Sequence, residues 1–174
     1  FYELNEHTDL TKIDAYLQPL RQGKNLGLMS EAGLPCVADP GARLVELAQK
    51  EGFKICPLIG PSSLMMSLMA SGFNGQNFAF VGYLPIDKTQ RIKRIKELEM
   101  LAYKISQTQI FIEAPYRNNQ MFQAIKDNCN PNTMLCLGVD IGLSTQQIIS
   151  KNIQQWKKTS IDLNKRNTVF LIYK

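Results

Sequence analysis

What most limits the fold of this chain is the regular exchange of two kinds of segment along its length. Short apolar runs, NLGLM (25–29), FKICPLI (53–59), FAFVGYL, QIFIE, TMLCLGVD, QQIIS and TVFLIYK, alternate with helix-like stretches over short connections. A period of two that switches repeatedly to 3.6 implies layered α/β architecture, and short connections imply parallel strands joined by helical crossovers. Thr8 and Asp9 are candidate caps for a helix through DAYLQPL. ARLVELAQK is a helix closed by Gly52, and Pro61, Ser62 and Ser63 open one that ends at Gly72. PYRNNQMFQAIKDN is a helix with Pro115 at its start, and NIQQWKK a short one. The Gly/Asn-rich segment 73–77 (FNGQN) is the best candidate hinge, dividing the chain into domains 1–75 and 76–174.

Charge divides along the same line. Residues 1–87 carry 6 basic and 9 acidic side chains, whereas residues 88–174 carry 14 and 6. A net +8 second half beside a net −3 first half points to a polyanion met by the second half, or to a solvated basic face. The helix at DKTQRIKRIKELEMLAYK concentrates it: Lys88, Arg91, Lys93, Arg94 and Lys96 surround an apolar stripe of Ile92, Ile95, Leu98 and Leu101 or Ala102. Lys157, Lys158, Lys165 and Arg166 extend the patch.

The four cysteines, Cys36, Cys56, Cys129 and Cys136, form no C-x-x-C pair and are expected as buried free thiols in a reducing cytoplasm. With a single histidine, His7, in a polar stretch, metal centres and His-based catalysis are not expected. No apolar run approaches membrane-spanning length. P-loop, G-x-G-x-x-G and G-x-S-x-G patterns are absent.

Four strand ends carry loops suited to a ligand: SEAGLP (30–35), IGPSS (59–63), GYLP (82–85) and EAPYR (113–117). Small residues let the backbone approach a ligand closely, and ligands in open α/β sheets sit beyond strand carboxyl ends. Taken in order, GLMSEAGLPCVADPGARLVELAQKEGFKICPLIGPSSLMMSLMASG, FAFVGYLP and IFIEAPYRN resemble the tetrapyrrole-methylase superfamily. Within it, they are most similar to the branch of small-subunit ribosomal RNA cytidine 2′-O-methyltransferases.

That resemblance implies a parallel-sheet N-terminal domain and a mixed-sheet C-terminal domain, with S-adenosylmethionine in the cleft. It also implies no metal, a homodimer, and ribosomal RNA or the small ribosomal subunit as partner. The family opens with a strand and a Gly/Pro-rich loop that would precede Phe1, so the chain is expected to be N-terminally truncated. Matched to the family's cofactor positions are Ser30, Ala32, Gly33, Leu34 and Val37 in the first loop, then Ser63 and Leu64, Glu113 and Ala114, Leu137 and Thr168. Leu34 stands where relatives carry an aspartate, so contacts there fall to backbone or to Ser30 and Glu31.

Glu113, Pro115, Tyr116 and Arg117 match the branch's E-[ST]-P-x-R signature. Glu113 and Arg117 are the catalytic candidates, while Tyr116 and Arg117 join the basic helix as RNA contacts. The bland reading is an internal Glu113–Arg117 pair fixing the loop. Asp140–Gln146 stands where the branch has E-L-T-K-x-x-E, without its lysine and second acid. Two other readings are a methyltransferase for a tetrapyrrole-like small molecule and a non-catalytic module binding RNA or cofactor.

Overall fold

A computed structural model describes residues 1–174 and separates them into two compact units, Phe1–Ser62 and Ser63–Lys174. The first unit is helical. It holds α1 (Leu10–Tyr16), α2 (Gln18–Arg21) and α3 (Ala42–Lys50). Asp9 caps α1, its carboxylate accepting from the amides of Thr11 and Lys12 at 2.8 and 3.0 Å. Ile13, Leu17, Leu44 and Ala48 form its core, with Leu26, Leu28 and Phe53 half-buried against them.

The expected strands 25–29 and 53–59 do not form, so the first unit has no parallel sheet. Alternate residues of NLGLM do lean on the helices, but Met29 is exposed, as are Leu58 and Ile59. An apolar run states a preference for burial, and a strand additionally needs a hydrogen-bonded neighbour. Neither run has one.

The second unit contains every strand. It runs α4 (Ser63–Ser71), β1 (Phe78–Tyr83), α5 (Lys88–Ile105), β2 (Thr108–Ile112), a 3₁₀ turn (Pro115–Arg117) and α6 (Asn118–Asn128). It continues with β3 (Met134–Val139), β4 (Gln147–Asn152), α7 (Ile153–Trp156) and β5 (Thr168–Tyr173). The sheet order is β1-β2-β5-β3-β4, with β1 and β2 parallel and the other neighbours antiparallel.

Both faces of this sheet are buried. Phe111, Leu135, Leu137, Val139, Phe170 and Ile172 point to the layer of α5, α6 and α7. Ile110, Cys136, Val169 and Leu171 point to the face covered by Leu64 and Leu68 of α4. This alternation follows from the period-two pleat, and Phe111 stacks on Phe170 at 5.5 Å where the register pairs them. Gly138 lets α4 approach β3: a Cβ there would lie 2.8 Å from Ser67 Cβ and closer still to its hydroxyl.

Because α4 packs on β3, β4 and β5, the compact units divide ahead of segment 73–77. That segment is tied into the second unit: Asn74 Nδ2 donates to Ser106 O and Asn77 Nδ2 to Ile105 O, both at 2.8 Å. Phe73 stacks on Tyr173. Cys129 and Cys136 are buried as expected, and burial pushes both thiols up. Cys56, however, is exposed and Cys36 half-buried, because the runs flanking them are not strands inside a sheet. No helix is long and apolar enough to cross a membrane.

Candidate active site and its relatives

The pairing directions bring the C-terminal ends of β1, β2 and β3 and the N-terminal ends of β4 and β5 to one edge of the second unit's sheet. Loops 113–117, 140–146 and 163–167 meet there. Lys165 N donates to Pro115 O at 3.1 Å, and Asn118 Nδ2 to Arg166 O at 2.6 Å.

Glu113 follows β2 directly, and its side chain is fully buried. Its Oε1 accepts from Arg117 Nη2 and from the Ala114 amide, both at 2.7 Å. One turn of 3₁₀ helix, begun by Pro115, sets the spacing that brings Arg117 back onto the acid. The internal pair expected as the bland reading is therefore present, and the hydrogen bond from Arg117 to Glu113 holds the guanidinium above its ordinary pKa. It leaves two buried atoms without partners: Glu113 Oε2 and Arg117 Nε. Polar atoms so deep are normally hydrogen-bonded, which sets this pair apart from the other ion pairs of the chain. Tyr116 is exposed, with the Arg117 guanidinium 5.0 Å from its ring centroid.

A second ion pair stands at the same edge, and sequence reasoning did not anticipate it. Arg166 Nε donates to Asp140 Oδ2 at 2.8 Å, Thr145 Oγ1 donates to the same oxygen at 3.0 Å, and Arg166 Nη2 reaches Thr145 O. Burial alone would raise the Asp140 carboxyl; the hydrogen bonds and charge of Arg166 and Thr145 outweigh it and hold the group below its usual range. Nothing in the spacing signals it, since Arg166 lies 26 residues beyond Asp140 in the chain.

The basic helix splits differently from expectation. Arg91 is buried, donating through Nη1 to Ile86 O, because α5 turns that position inward with Ile95, Leu98 and Ala102. Arg94 is tied to Glu97 at 3.2 Å. Lys88, Lys93 and Lys96 remain exposed. Arg166, held by Asp140, is likewise not a free extension of the patch.

In the first unit, loop 30–35 leaves Ala32 and Gly33 exposed, with open space where a Gly33 side chain would stand. Ser30 Oγ donates to Ala32 O at 2.9 Å, and Leu34 lies against Gly60 of the next loop. The exposed Val37 sits between Cys36 and Ala38, both at positive φ (66° and 56°), a costly backbone for residues with a side chain. Ser63 is exposed and Ala114 half-buried, whereas Leu64, Leu137 and Thr168 are buried. Leu137 packs beneath α5 and α6, and Thr168 Oγ1 donates to Arg166 O at 3.2 Å.

No family model matches the chain. Among curated proteins it is 33% identical over 126 residues to ribosomal RNA small subunit methyltransferase I of Vibrio cholerae, covering 72% of this chain and 42% of that one. The protein of the same name from Bacillus subtilis is 37% identical over 127 residues, 73% of this chain and 41% of its own. The Pasteurella multocida protein aligns with 99% of this chain at 27% identity, covering 61% of its own length. The chain thus spans about half the length of the curated relatives it matches.

Among solved structures, the methyltransferase CobJ superposes with a TM-score of 0.63, covering 97% of this chain and 72% of that one at 16% identity. The chain has the fold of that methyltransferase. The same fold is seen in the uroporphyrin-III C-methyltransferase of Thermus thermophilus complexed with S-adenosylhomocysteine. It gives a TM-score of 0.53 at 12% identity, over 95% of this chain and 73% of that one.

Proposed function

We propose that this chain belongs to the tetrapyrrole-methylase superfamily and is part of an S-adenosylmethionine-dependent methyltransferase that modifies a ribose 2′-hydroxyl of small-subunit ribosomal RNA. The observation that carries the reading is Glu113: a buried carboxylate with one oxygen fixed by Arg117 and the other unpartnered, at the sheet edge where three loops meet. The relatives' names and the exposed lysines of α5 support the RNA substrate.

The residues present fit the cofactor at Ala32 and Gly33, which offer small, open backbone. Ser30, Val37, Ser63 and Ala114 are the further candidates with side chains reaching the surface; Leu64, Leu137 and Thr168 would act through packing or backbone. The cofactor, when bound, supplies an electrophilic methyl group. The work left to the chain is alignment of the acceptor oxygen and removal of its proton.

Glu113 Oε2 accepts that proton in our reading, while Arg117 holds the carboxylate's orientation through Oε1. Tyr116 gives the target base a stacking face. In this reading the enzyme is a homodimer, which sedimentation would register. We place its work in the cytoplasm.

Glu113→Gln keeps size and the Arg117 hydrogen bond while removing the base. Methyl incorporation into assembled small subunits should fall about 10²–10⁴-fold, with S-adenosylmethionine affinity by calorimetry unchanged. Undiminished turnover would remove Glu113 as base. Incorporation into a tetrapyrrole instead of RNA would replace the substrate assignment.

A further inference from the structure

The orphaned atoms at the sheet edge account for chemistry but not for how a long RNA is held beside it. A groove of about 600 Å³ lies elsewhere on the second unit, between α6 and the segment that follows α7. Its α6 wall is Asn119, Gln123 and Lys126, spaced along one helix face, and its opposite wall begins with Lys157 and Lys158. No carboxylate lies within 4 Å of any of these three ammonium groups, in contrast to Arg94, Arg117 and Arg166, each committed to an acid.

Lys126 is also placed in advance. Its Nζ sits 4.5 Å from the centroid of Phe122, whose ring meets the edge of Trp156 in the core. One acid lines the groove, Asp162, and its Oδ1 is occupied by Asn119 Nδ2 at 2.8 Å and Asn164 N at 3.0 Å. The hydrogen bond from Asn119 lowers its pKa, so Asp162 is ionised and offsets one of the three lysines. The net charge is still positive, and the exposed Ser160 adds a hydroxyl.

We propose that this groove carries the phosphates of single-stranded RNA flanking the target nucleotide. The assignment rests on the RNA reading above and extends it. Asn119 is two residues beyond Arg117, so a strand whose nucleotide stands on Tyr116 is led by α6 toward Lys126, Lys157 and Lys158. Its two walls, one helix face and one short segment, suit a single backbone. Duplex RNA is instead read across a wide minor groove and would need a broader surface.

The test is filter binding of a single-stranded RNA of about 12 nucleotides to the full chain across a salt series. Lys157→Gln with Lys158→Gln alters two exposed side chains and should leave folding intact, as circular dichroism would verify. Each lysine–phosphate pair removed should flatten the plot of log K against log salt by about 0.7, so the double variant should shift it by about 1.4. Between 50 and 200 mM salt the wild type would then lose about sevenfold more affinity than the variant. Adding Lys126→Gln should extend the shift.

A wild type that binds RNA with a slope both variants share overturns the groove alone. A wild type that binds no RNA brings down the RNA reading itself. Inorganic pyrophosphate displacing the RNA at equal affinity would make this a free-phosphate site and overturn the assignment.

Discussion

The two units use similar apolar segments to opposite ends. In the second, QIFI, MLCLGV and TVFLIY each lie between hydrogen-bonded neighbours, and their alternate side chains fill two separate cores. In the first, NLGLM and FKICPLI lie beside helices without a ladder and leave Met29, Leu58 and Ile59 exposed. The difference teaches that apolar periodicity sets which side of a segment is buried, while strand partners decide whether its backbone is secured. Glu113 and Asp140 therefore stand at the ends of laddered strands, whereas the loops of the first unit are held chiefly by side-chain packing.

The sharpest way to break this contrast is to empty each core in turn. Phe170→Ala removes a fully buried ring stacked on Phe111 and should cost about 3–5 kcal/mol in chemical denaturation. Leu17→Ala, equally buried, should cost about 2 kcal/mol, since its half-exposed neighbours Leu20, Leu26 and Leu28 are free to close the gap. Equal losses would show that the first unit is as tightly packed as the second.

Charge pairs sharpen the comparison further. Arg21 in the first unit forks to Asp14 and Glu51 at the surface, an arrangement that salt screens. Asp140 and Arg166 are largely shielded, so Asp140→Asn should cost about 1.5–3 kcal/mol with little salt dependence. The carboxyl titrates lower in the fold than in the unfolded chain. Its contribution is thus complete above the ordinary carboxylate value and lost as pH falls through the lower one. The variant should lack that part of the acid limb; an unchanged acid titration would count against the pair.

A steric effect is expected where α4 meets β3. Gly138→Ala pushes a methyl into Ser67 and should cost about 1–3 kcal/mol, with faster amide exchange in α4 and β3. Exchange confined to other elements would mean that α4 does not depend on that close approach.

Most of the second unit was legible because each segment's pattern agreed with its surroundings. QIFIE, flanked by a basic helix and a Pro-led helix, had one consistent reading. NLGLM did not, since a strand partner is a property of the whole fold and leaves no trace in five residues. At the site, Glu113 and Arg117 were readable because four residues along a turn suffice to join them. The Asp140–Arg166 pair was not, being closed by two loops that sequence leaves independent. Arg91 was misplaced for a simpler reason: a helix face is assigned by its apolar members, and Arg91 shares the inward face with Ile95 and Leu98. Its aliphatic stem makes that burial tolerable.

The chain's single tryptophan, Trp156, is fully buried, with its indole N–H donating to Leu135 O at 2.8 Å and Lys151 Nζ 5.2 Å from its ring centroid. It sits immediately before Lys157 and Lys158. Excited selectively, this indole is an optical gauge of the second unit, placed one residue from the basic groove. Its emission will follow the melting of the sheet, while the helical first unit unfolds in the dark.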